Sequence, residues 1–467
     1  MARPLRTILI VLGIIAVLAA IALWVLTRPD VADFTAEQTS GRVPQLDEPA
    51  PQSVPTVDIA KAVGWPNGAR PRAAAGLQVA PFATGLSHPR SMLVLPNGDV
   101  LVAESNAPKA KPGGIKDWIM GKLMARAGAG VPSANRITIL RDADGDGRAE
   151  ARAPYLTGLN SPFGMALVGD ALYVANTDSV MAFPYVEDAS RITAKGTRLV
   201  NLPATKPNQH WTRDLIASPD GSKLYAAVGS NSNIGENGIE TERCVWQKGF
   251  PPEFCRAAVL EIDIAKRRWR PFASGLRNPT GLAFLPGSED LWAIVNERDM
   301  LGSDLVPDYM AQVSLGDYFG WPYYYWGGYE DKRVSDSAPA DTRQYTKRPE
   351  YGLGSHTAPL GISFSQGAAL GPRFSNGAFV SLHGSWNRSP PSGYKVVFVR
   401  FGGSGRPAEA KPVEVLGGFL NGELEAQGRP VGVRIAGDGA LLVADDVGNT
   451  VWRVSAAGVG SPPRQSR

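Results

Sequence analysis

The chain has 467 residues, of which 43% are hydrophobic and 20% charged, which is typical of a folded globular protein. Its formal net charge is only +4. Because nucleic-acid-binding proteins usually carry a clustered positive surface, we exclude DNA and RNA as partners. A nicotinamide-dependent Rossmann enzyme is also disfavoured, since no strand–GxGxxG–helix unit occurs.

The first predicted element is an N-terminal helix. Arg3 and Arg6 precede an uncharged run over residues 7–27, and Arg28 follows it. About 20 residues at a rise of 1.5 Å each match a ~30 Å hydrocarbon layer, so we predict a transmembrane anchor over residues 1–28. The long run without a clean cleavage site favours this anchor over the alternative, a cleaved signal peptide.

An anchor and a cleaved signal both predict export of the remaining chain, because Arg3 and Arg6 would stay on the cytoplasmic side of the membrane. We expect the protein at the periplasmic face of the inner membrane, or free in the periplasm if the segment is cleaved. Residues 29–75 are rich in Pro, Ala, Asp and Gln without periodicity, which predicts a linker. Residues 76–457 are assigned to a folded domain and residues 458–467 to a disordered tail.

A repeated pair of short apolar strands fills the folded domain. Its core is Gly-Leu-x-x-Pro-x-(Gly/Ser)-hydrophobic followed by a second strand, often after an Asn-Gly or Asp-Gly turn. Six copies occur, at Phe82–Ser105, Tyr155–Thr177, His210–Ser230, Phe272–Glu297, His356–Ser385 and Gly428–Asp446. Such internal repetition predicts an all-β, six-bladed β-propeller. Its chemistry would then lie in the loops at one mouth of the central channel.

Two insertions carry patterns of their own. Ile115–Met124 places apolar residues on one helical face, so we predict an amphipathic helix packed on a blade, with a lid or a membrane-surface helix as alternatives. In Arg141–Glu150, three Asp residues alternate and Gly147 stands sixth, as at the start of a calcium loop. Position twelve is Ala153 rather than Glu, so we interpret the segment as a hairpin turn, with weak calcium binding as the alternative.

The two cysteines, Cys244 and Cys255, lie close together in an irregular segment after the third repeat. We predict a disulfide between them, since an exported protein meets an oxidising compartment. Free thiols or half of a metal site are the alternatives, although no CxxC partner or neighbouring histidine supports zinc.

Histidine and arginine recur at the repeat junctions, which open onto the channel mouth. The residues are His88, His210, His356 and His383, with Arg213, Arg277, Arg298, Arg388 and Arg429. Guanidinium groups present a rigid fork of donors that suits carboxylates. A mouth with several arginines and a histidine able to act as a base therefore suits a flat polyanionic ligand.

Several segments resemble the soluble quinoprotein sugar dehydrogenases, and among them the sorbosone dehydrogenase branch. They are Gly275–Phe284 (GLRNPTGLAF), Val295–Asp299 (VNERD), Asp317–Pro322 (DYFGWP), His383–Arg388 (HGSWNR) and Gly428–Val433 (GRPVGV). The resemblance implies a propeller that binds pyrroloquinoline quinone (PQQ) and Ca²⁺ and oxidises an aldose or sugar-derived aldehyde. A membrane quinone or a cytochrome would accept the electrons.

The resemblance also implies site residues. His210 would be the general base that takes the substrate hydroxyl proton while hydride passes to the quinone, and Arg277 would stabilise the charge that develops. The implied cofactor contacts are Arg277, Asn278, Asn296, His383, Arg388 and Arg429. The implied Ca²⁺ ligands are main-chain oxygens of Glu297 and Arg298, with Asp299 adjoining.

Two other functions stay open on the sequence. One is a non-catalytic periplasmic propeller that serves as a binding module. The other is a calcium-dependent hydrolase of the lactonase type, which would need several Asp, Glu and Asn side chains converging on the channel floor.

Overall fold

The computed structural model describes residues 2–27, 30–52, 56–109, 114–249, 253–334 and 337–458. A helix and three strands precede the first complete sheet. They are α1 (Ala2–Thr27), β1 (Ser40–Gly41), β2 (Arg72–Ala73) and β3 (Leu77–Ala83).

Six antiparallel sheets, the blades of a propeller, follow in chain order. Blade 1 contains β4 (Pro89–Val94), β5 (Val100–Glu104), α2 (Ile115–Arg126), β6 (Arg136–Arg141) and β7 (Ala151–Leu156). Blade 2 contains β8 (Met165–Val168), β9 (Ala171–Ala175), β10 (Ser179–Pro184) and β11 (Thr197–Asn201). Blade 3 and its inserted hairpin contain β12 (Leu215–Ala217), β13 (Lys223–Val228), β14 (Arg243–Cys244), β15 (Glu253–Phe254), β16 (Ala258–Asp263) and β17 (Arg268–Ser274).

The second half of the chain repeats this plan. Blade 4 and its insertion contain β18 (Asn278–Phe284), β19 (Leu291–Asn296), β20 (Pro307–Val313), β21 (Asp317–Tyr318), β22 (Tyr324–Tyr325), β23 (Tyr329–Glu330), α3 (Thr342–Tyr345) and β24 (Tyr351–Ser355). Blade 5 contains β25 (Pro359–Phe364), β26 (Gly377–Leu382), β27 (Lys395–Arg400) and β28 (Val413–Gly417). Blade 6 contains β29 (Pro430–Ile435), β30 (Leu441–Asp445) and β31 (Thr450–Ala456).

The first strand of each blade lines the central axis. These strands, β4, β8, β12, β18, β25 and β29, contact one another in a closed ring. Blade 6 takes its outermost strand from the other end of the domain, because β3 pairs with β31 from Leu77↔Ala456 onward. The six-bladed propeller is therefore confirmed, and each sequence repeat supplies the two inner strands of one blade.

The small residue of the repeat motif allows neighbouring blades to meet at the axis. A Cβ atom on Gly164 would lie 2.1 Å from the Leu215 nitrogen, and one on Gly361 would lie 2.3 Å from the Val431 oxygen. Real Cβ atoms do not approach backbone so closely, so glycine is required where inner strands touch.

The N-terminal helix is present, but the membrane anchor is not supported. Within the described ranges, no helix combines the length and hydropathy needed to cross a bilayer. The predicted tail, residues 458–467, lies outside the described residues except for Gly458.

The predicted linker is bound to the propeller over much of its length. We call its residues 30–52 and 56–66 the strap. Within it, β1 pairs with β24 at the outer edge of blade 4. Its backbone amides at Ala50 and Asp58 donate to Leu301 O and Trp386 O. Proline and small polar residues here therefore form an ordered segment, held largely through backbone atoms that leave no periodic signal in the sequence.

The insertions differ in how far they match expectation. Helix α2 is present, but Trp118 and Ile119 on its apolar face are exposed, so these two side chains are not packed on a blade.

The Asp-rich segment joins β6 to β7 as a hairpin, and Asp142 accepts from the amides of Gly145 and Gly147. Carboxylate oxygens of Asp142, Asp144, Asp146 and Glu150 lie within 4.8 Å of one another, so calcium binding here stays an alternative. The predicted disulfide between Cys244 and Cys255 is present.

Candidate active site

His210 stands in the loop that leads into β12, at the inner end of blade 3. Its Nδ1 lies 2.8 Å from Ser230 O. A carbonyl can only accept, so Nδ1 carries the proton and Nε2 keeps its lone pair. Among the described residues, Nε2 has no hydrogen-bond partner. The ring is surrounded by protein yet keeps some exposed surface.

The imidazole is held neutral by its surroundings. Burial lowers the pKa of His210 well below its ordinary value, and the positive charges of Arg277, Arg256 and Arg213 lower it further. The hydrogen bond to Ser230 O opposes this shift without overcoming it. His210 is therefore a neutral imidazole with one free nitrogen, which is the state a general base needs.

Asn278 lies beside His210 at the start of β18. A Cβ atom on Gly229 would lie 2.2 Å from Asn278 Oδ1 and 2.5 Å from His210 Cβ, so only glycine leaves room for both side chains. Asn278 Oδ1 is buried and has no hydrogen-bond partner in the described part of the chain. Buried polar atoms are normally paired, so this oxygen fits contact with a bound polar group.

Arg277 connects blade 3 to the loop after β19. Its Nη1 donates to Glu297 O at 2.6 Å and its Nη2 to Asp299 Oδ2 at 2.7 Å. Its own carbonyl accepts from Ser230 N at 2.8 Å, directly behind His210. Asp299 also accepts from Asn387 Nδ2 of blade 5 at 2.8 Å. Arg277 and Asp299 therefore join three blades at the mouth.

Asn296 is the last residue of β19 and anchors the start of this loop. It pairs with Asn278 across β18 and β19, and its Nδ2 donates to Pro359 O of blade 5 at 2.7 Å. One continuous cluster therefore contains seven of the proposed site residues: His210, Arg277, Asn278, Asn296, Glu297, Arg298 and Asp299.

Two main-chain oxygens of the predicted calcium loop, Glu297 O and Asp299 O, accept hydrogen bonds from cations and amides of the chain. Glu297 O accepts from Arg277. Asp299 O accepts from Arg298 Nε and Nη2 and from Asn233 Nδ2, at 2.8–3.1 Å. Two guanidinium groups thus lie where a divalent cation would need bare oxygens. These contacts do not favour Ca²⁺ at Glu297 O or at Asp299 O, and the calcium site stays a prediction.

A second cluster occupies the opposite side of the mouth, around Asp446 at the end of β30. Asp446 is buried and accepts from Arg90, while His383 Nε2 lies 3.0 Å from its Oδ2. Burial alone would raise the pKa of Asp446, but His383, His88 and Arg90 hold it well below its usual range. Burial lowers the pKa of His88 to about 4, so that ring stays neutral.

Arg90 links the two clusters. Its guanidinium group lies 5.9 Å from the ring of Trp211, the residue that follows His210.

Arg429 belongs to this second side. Its Nη2 donates to Tyr394 Oη at 3.0 Å and to Ala60 O of the strap at 3.4 Å, and its guanidinium stacks 5.0 Å from the Tyr394 ring centroid. Its Nε is buried without a partner among the described residues. Arg429 therefore retains a donor for a bound anion.

Arg388 is used differently from the prediction. It is buried, and it donates to Phe34 O of the strap, to Pro390 O and to Asp304. Three of its donor contacts therefore hold the strap and its neighbouring loop rather than a ligand. Only its Nε is left without a partner in the described ranges.

The fold and the site can now be compared with known proteins. The family model TrAA12-like matches residues 71–311 and 304–457, which together include all six blades. The chain belongs to the TrAA12-like family. This confirms the resemblance to soluble quinoprotein sugar dehydrogenases at the level of the family.

Individual relatives of this TrAA12-like protein are distant. It is 28% identical over 305 residues to an uncharacterized protein of Borreliella burgdorferi, covering 63% of this chain and 76% of that one. It is 25% identical over 398 residues to a pyrroloquinoline quinone-dependent pyranose dehydrogenase of Coprinopsis cinerea, covering 75% of this chain. The match spans 48% of that enzyme, about half its length. The structure of a Trichoderma reesei family AA12 enzyme aligns with a TM-score of 0.65 at 18% identity, over 86% of this chain and 100% of that one, which shows a shared fold.

Sequence reasoning missed several residues of the TrAA12-like site. Arg90, Asp446 and Asn387 contact predicted residues directly but were not assigned. Arg90 and Asp446 each stand at a repeat junction, which is the signal that singled out the histidines, so extending it to every charged junction residue would have found them. Asn387 had a weaker signal, since it lies inside the segment His383–Arg388 that carried the resemblance.

Proposed function

We propose that the chain is a PQQ-dependent dehydrogenase that oxidises an aldose or a sugar-derived aldehyde, with His210 as the general base. The observation that carries the proposal is the state of His210. It is neutral, its tautomer is set by Ser230 O, its Nε2 has no partner among the described residues, and the neighbouring Asn278 keeps an unpaired amide oxygen. The name of the Coprinopsis cinerea relative, a PQQ-dependent pyranose dehydrogenase, supports the same cofactor and substrate class.

The donor set of the mouth fits a planar quinone with carboxylate groups. Arg90 and Arg429 each keep a buried Nε without a partner among the described residues, and guanidinium donors bind carboxylates strongly. Asn278 and Arg277 on one side, with Arg429 and His383 on the other, would hold the cofactor. When bound, the quinone supplies the hydride acceptor that no side chain can provide.

The side chains of the first cluster divide the remaining work. His210 Nε2 takes the proton of the substrate hydroxyl as the carbon–hydrogen bond breaks. The guanidinium of Arg277 places positive charge beside His210, which keeps the ring neutral and stabilises negative charge that develops nearby. Ser230 holds the ring in place through Nδ1.

Export to an oxidising compartment such as the periplasm is part of the proposal. The disulfide between Cys244 and Cys255 supports it, because such bonds persist where thiols are not kept reduced. A membrane quinone or a cytochrome is the proposed electron acceptor. The hydrolase alternative is weaker: within the described residues, the two groups of acidic side chains close enough to share an ion include none of Glu297, Asp299 and Asp446 at the mouth.

The direct test compares wild-type protein with His210→Ala after reconstitution with PQQ. Dye-linked oxidation of an aldose panel, measured without nicotinamide cofactor, should fall by about 10²–10⁴-fold in kcat, as expected for loss of a general base. The PQQ affinity should stay within about threefold, which is less than 1 kcal/mol. Unchanged turnover in His210→Ala would reject His210 as the base, and no oxidation of any sugar or aldehyde by the wild type would reject the function.

A further inference from the structure

The strap ends in a tryptophan that is seated in a closely fitted pocket of blade 6. The Trp65 ring makes edge-on contacts with Phe419 and Trp452, at centroid distances of 5.6 and 5.4 Å. Cβ atoms on Gly428 and Gly448 would lie 2.7 and 2.6 Å from Trp65 Nε1. Two glycines therefore leave the space that the indole fills. Such a fit distinguishes Trp65 from a residue that merely lies on the surface.

The indole nitrogen is tied to a buried carboxylate. Trp65 Nε1 donates to Asp445 Oδ2 at 2.7 Å. Asp445 is fully buried, and its two oxygens also accept from Trp452 Nε1, Gly448 N and Arg429 N at 2.8–3.0 Å. No cation contacts this carboxylate among the described residues, so these four donors offset its burial, and each matters more than a bond at the surface would.

The strap contacts both ends of Arg429, the backbone nitrogen through Asp445 and the guanidinium group directly. The backbone nitrogen of Arg429 is fixed by Asp445, which Trp65 anchors. The guanidinium is fixed by Ala60 O of the same strap, five residues before Trp65, together with Tyr394 Oη. Arg429 immediately precedes the innermost strand of blade 6 and lies beside the second cluster of the mouth, where burial lowers the pKa of His383 and the charge of Arg429 lowers it further.

We propose that Trp65 is a positioning residue for the cofactor site, which acts by fixing Arg429 through Asp445 and thereby raises the affinity for PQQ. This inference rests on the proposed function. Trp65 and Ala60 lie outside residues 71–457, the part of the chain that the family model matches, so the proposed role belongs to residues that the family match does not include.

A matched control is available within the chain. Trp269, in the outermost strand of blade 3, is also half-buried and also donates its indole N–H to one acceptor, Asn201 O, at 2.9 Å. It lies at the outer edge of the propeller, away from the mouth. Substitution at Trp65 and at Trp269 therefore removes the same donor, and only the first loses contact with the site.

The experiment titrates purified full-length apo-protein with PQQ and compares the wild type, Trp65→Phe and Trp269→Phe. Phenylalanine keeps an aromatic ring in place and removes the donor, so both variants should fold. We expect the PQQ dissociation constant to rise about tenfold in Trp65→Phe, as for loss of one bond to a charged group, and to change less than about twofold in Trp269→Phe. Amide hydrogen exchange at Arg429 and its neighbours should accelerate only in Trp65→Phe, already without PQQ.

The outcomes separate this inference from the proposed function. If the wild type binds PQQ and the two variants bind it equally well, the positioning role of Trp65 is wrong and the proposed function stands. Unchanged exchange at Arg429 in Trp65→Phe would also overturn the positioning role. If the wild type binds no PQQ, the proposed function fails and the inference fails with it.

Discussion

The environment of His210 is built by residues that never face the channel. Arg256 Nη2 donates to Ser230 O at 3.1 Å, the same carbonyl that accepts from His210. Arg256 itself lies 3.8 Å from Glu242, and both side chains are fully buried. Glu242 in turn accepts from Asn231 N with both oxygens. The base is therefore oriented by a charged network behind it, which makes the ionisation of Glu242 relevant to stability and to the site.

Glu242 should make the stability of the fold depend on pH. Burial raises the pKa of Glu242 to about 7, whereas an unfolded glutamate titrates near 4.3. Between about pH 4 and pH 7 the folded protein holds a proton that the unfolded chain has lost, so this group's contribution to stability decreases as the pH rises through that range. Glu242→Gln lacks this dependence. Its free energy of unfolding relative to the wild type should thus increase by about 2 kcal/mol from pH 5 to pH 8.

Urea unfolding of both proteins at pH 5 and pH 8 measures this difference. Glu242→Gln also leaves Arg256 without its carboxylate partner. The resulting loss of unfolding free energy is present at both pH values, so it cancels when the two are compared. If the unfolding free energy of Glu242→Gln relative to the wild type is the same at both pH values, or is smaller at pH 8, Glu242 is already ionised at pH 5 in the folded protein.

Site residues were predictable where their position in the repeat marked them. His210, Arg277 and Asn278 lie at repeat junctions, and the closed ring of inner strands brings those junctions to one mouth. The calcium prediction stays untested, and at Glu297 the structure does not favour it for a local reason. Whether Glu297 O is free depends on the rotamer of Arg277, and the sequence contains no information on that rotamer.

At the scale of elements, the hairpin inserted in blade 3 shows how an irregular segment is fixed. Strands β14 and β15 pair over only two residues each, too few for independent stability. The disulfide from Cys244 to Cys255 closes this segment directly beside Glu242 and Arg256. It therefore restrains the network behind His210.

Removal of this disulfide should lower stability measurably. On the chain-entropy model, Cys244→Ser with Cys255→Ser costs about 2–3 kcal/mol of unfolding free energy. Thermal unfolding of the wild type should also shift downward in a reducing buffer, whereas the double variant should not respond to the reductant. A wild type insensitive to reductant would indicate that the bond contributes nothing in solution.

The strap marks the limit of sequence reasoning about elements. Its composition indicated a linker, and no periodic pattern contradicted that interpretation. Its order comes from backbone contacts such as Ala50 N to Leu301 O, and from Trp65 fitting between glycines of blade 6. Contacts between such distant parts of one chain cannot be recognised before the fold is known.

At the scale of the whole molecule, six similar blades close into a ring whose inner strands pack too tightly at the axis to admit an extra side-chain atom at positions such as Gly164 and Gly361. Each inner strand contacts the next, and β3 joins the two ends of the domain within blade 6. The fold was predictable because this closure repeats one motif around the ring, with a small residue before the first apolar position in every unit except the third, where Asp214 stands. The motif thus records a packing constraint of the complete ring.

Gly361→Ala tests this constraint. The added Cβ would meet Val431 O and Val433 N of the next blade, so blades 5 and 6 must move apart. We expect a loss of about 1–3 kcal/mol in the free energy of unfolding. Gly437→Ala is the control, since no atom lies within 4 Å of its added Cβ, and it should stay within about 0.5 kcal/mol of the wild type. Equal stability of the two variants would show that the inner strands are not in tight contact.

Every functional proposal made for this propeller depends on PQQ binding at its arginine-lined mouth. An absorbance titration of the purified full-length apo-protein with PQQ, in a buffer with excess chelator, measures that binding. We expect saturable binding of one PQQ per chain, unaffected by His210→Ala and strongly weakened by Arg277→Ala, because Arg277 holds the loop of Glu297 and Asp299 in place and supplies positive charge beside His210. Absence of saturable binding, with and without added Ca²⁺, would show that the mouth is not a PQQ site.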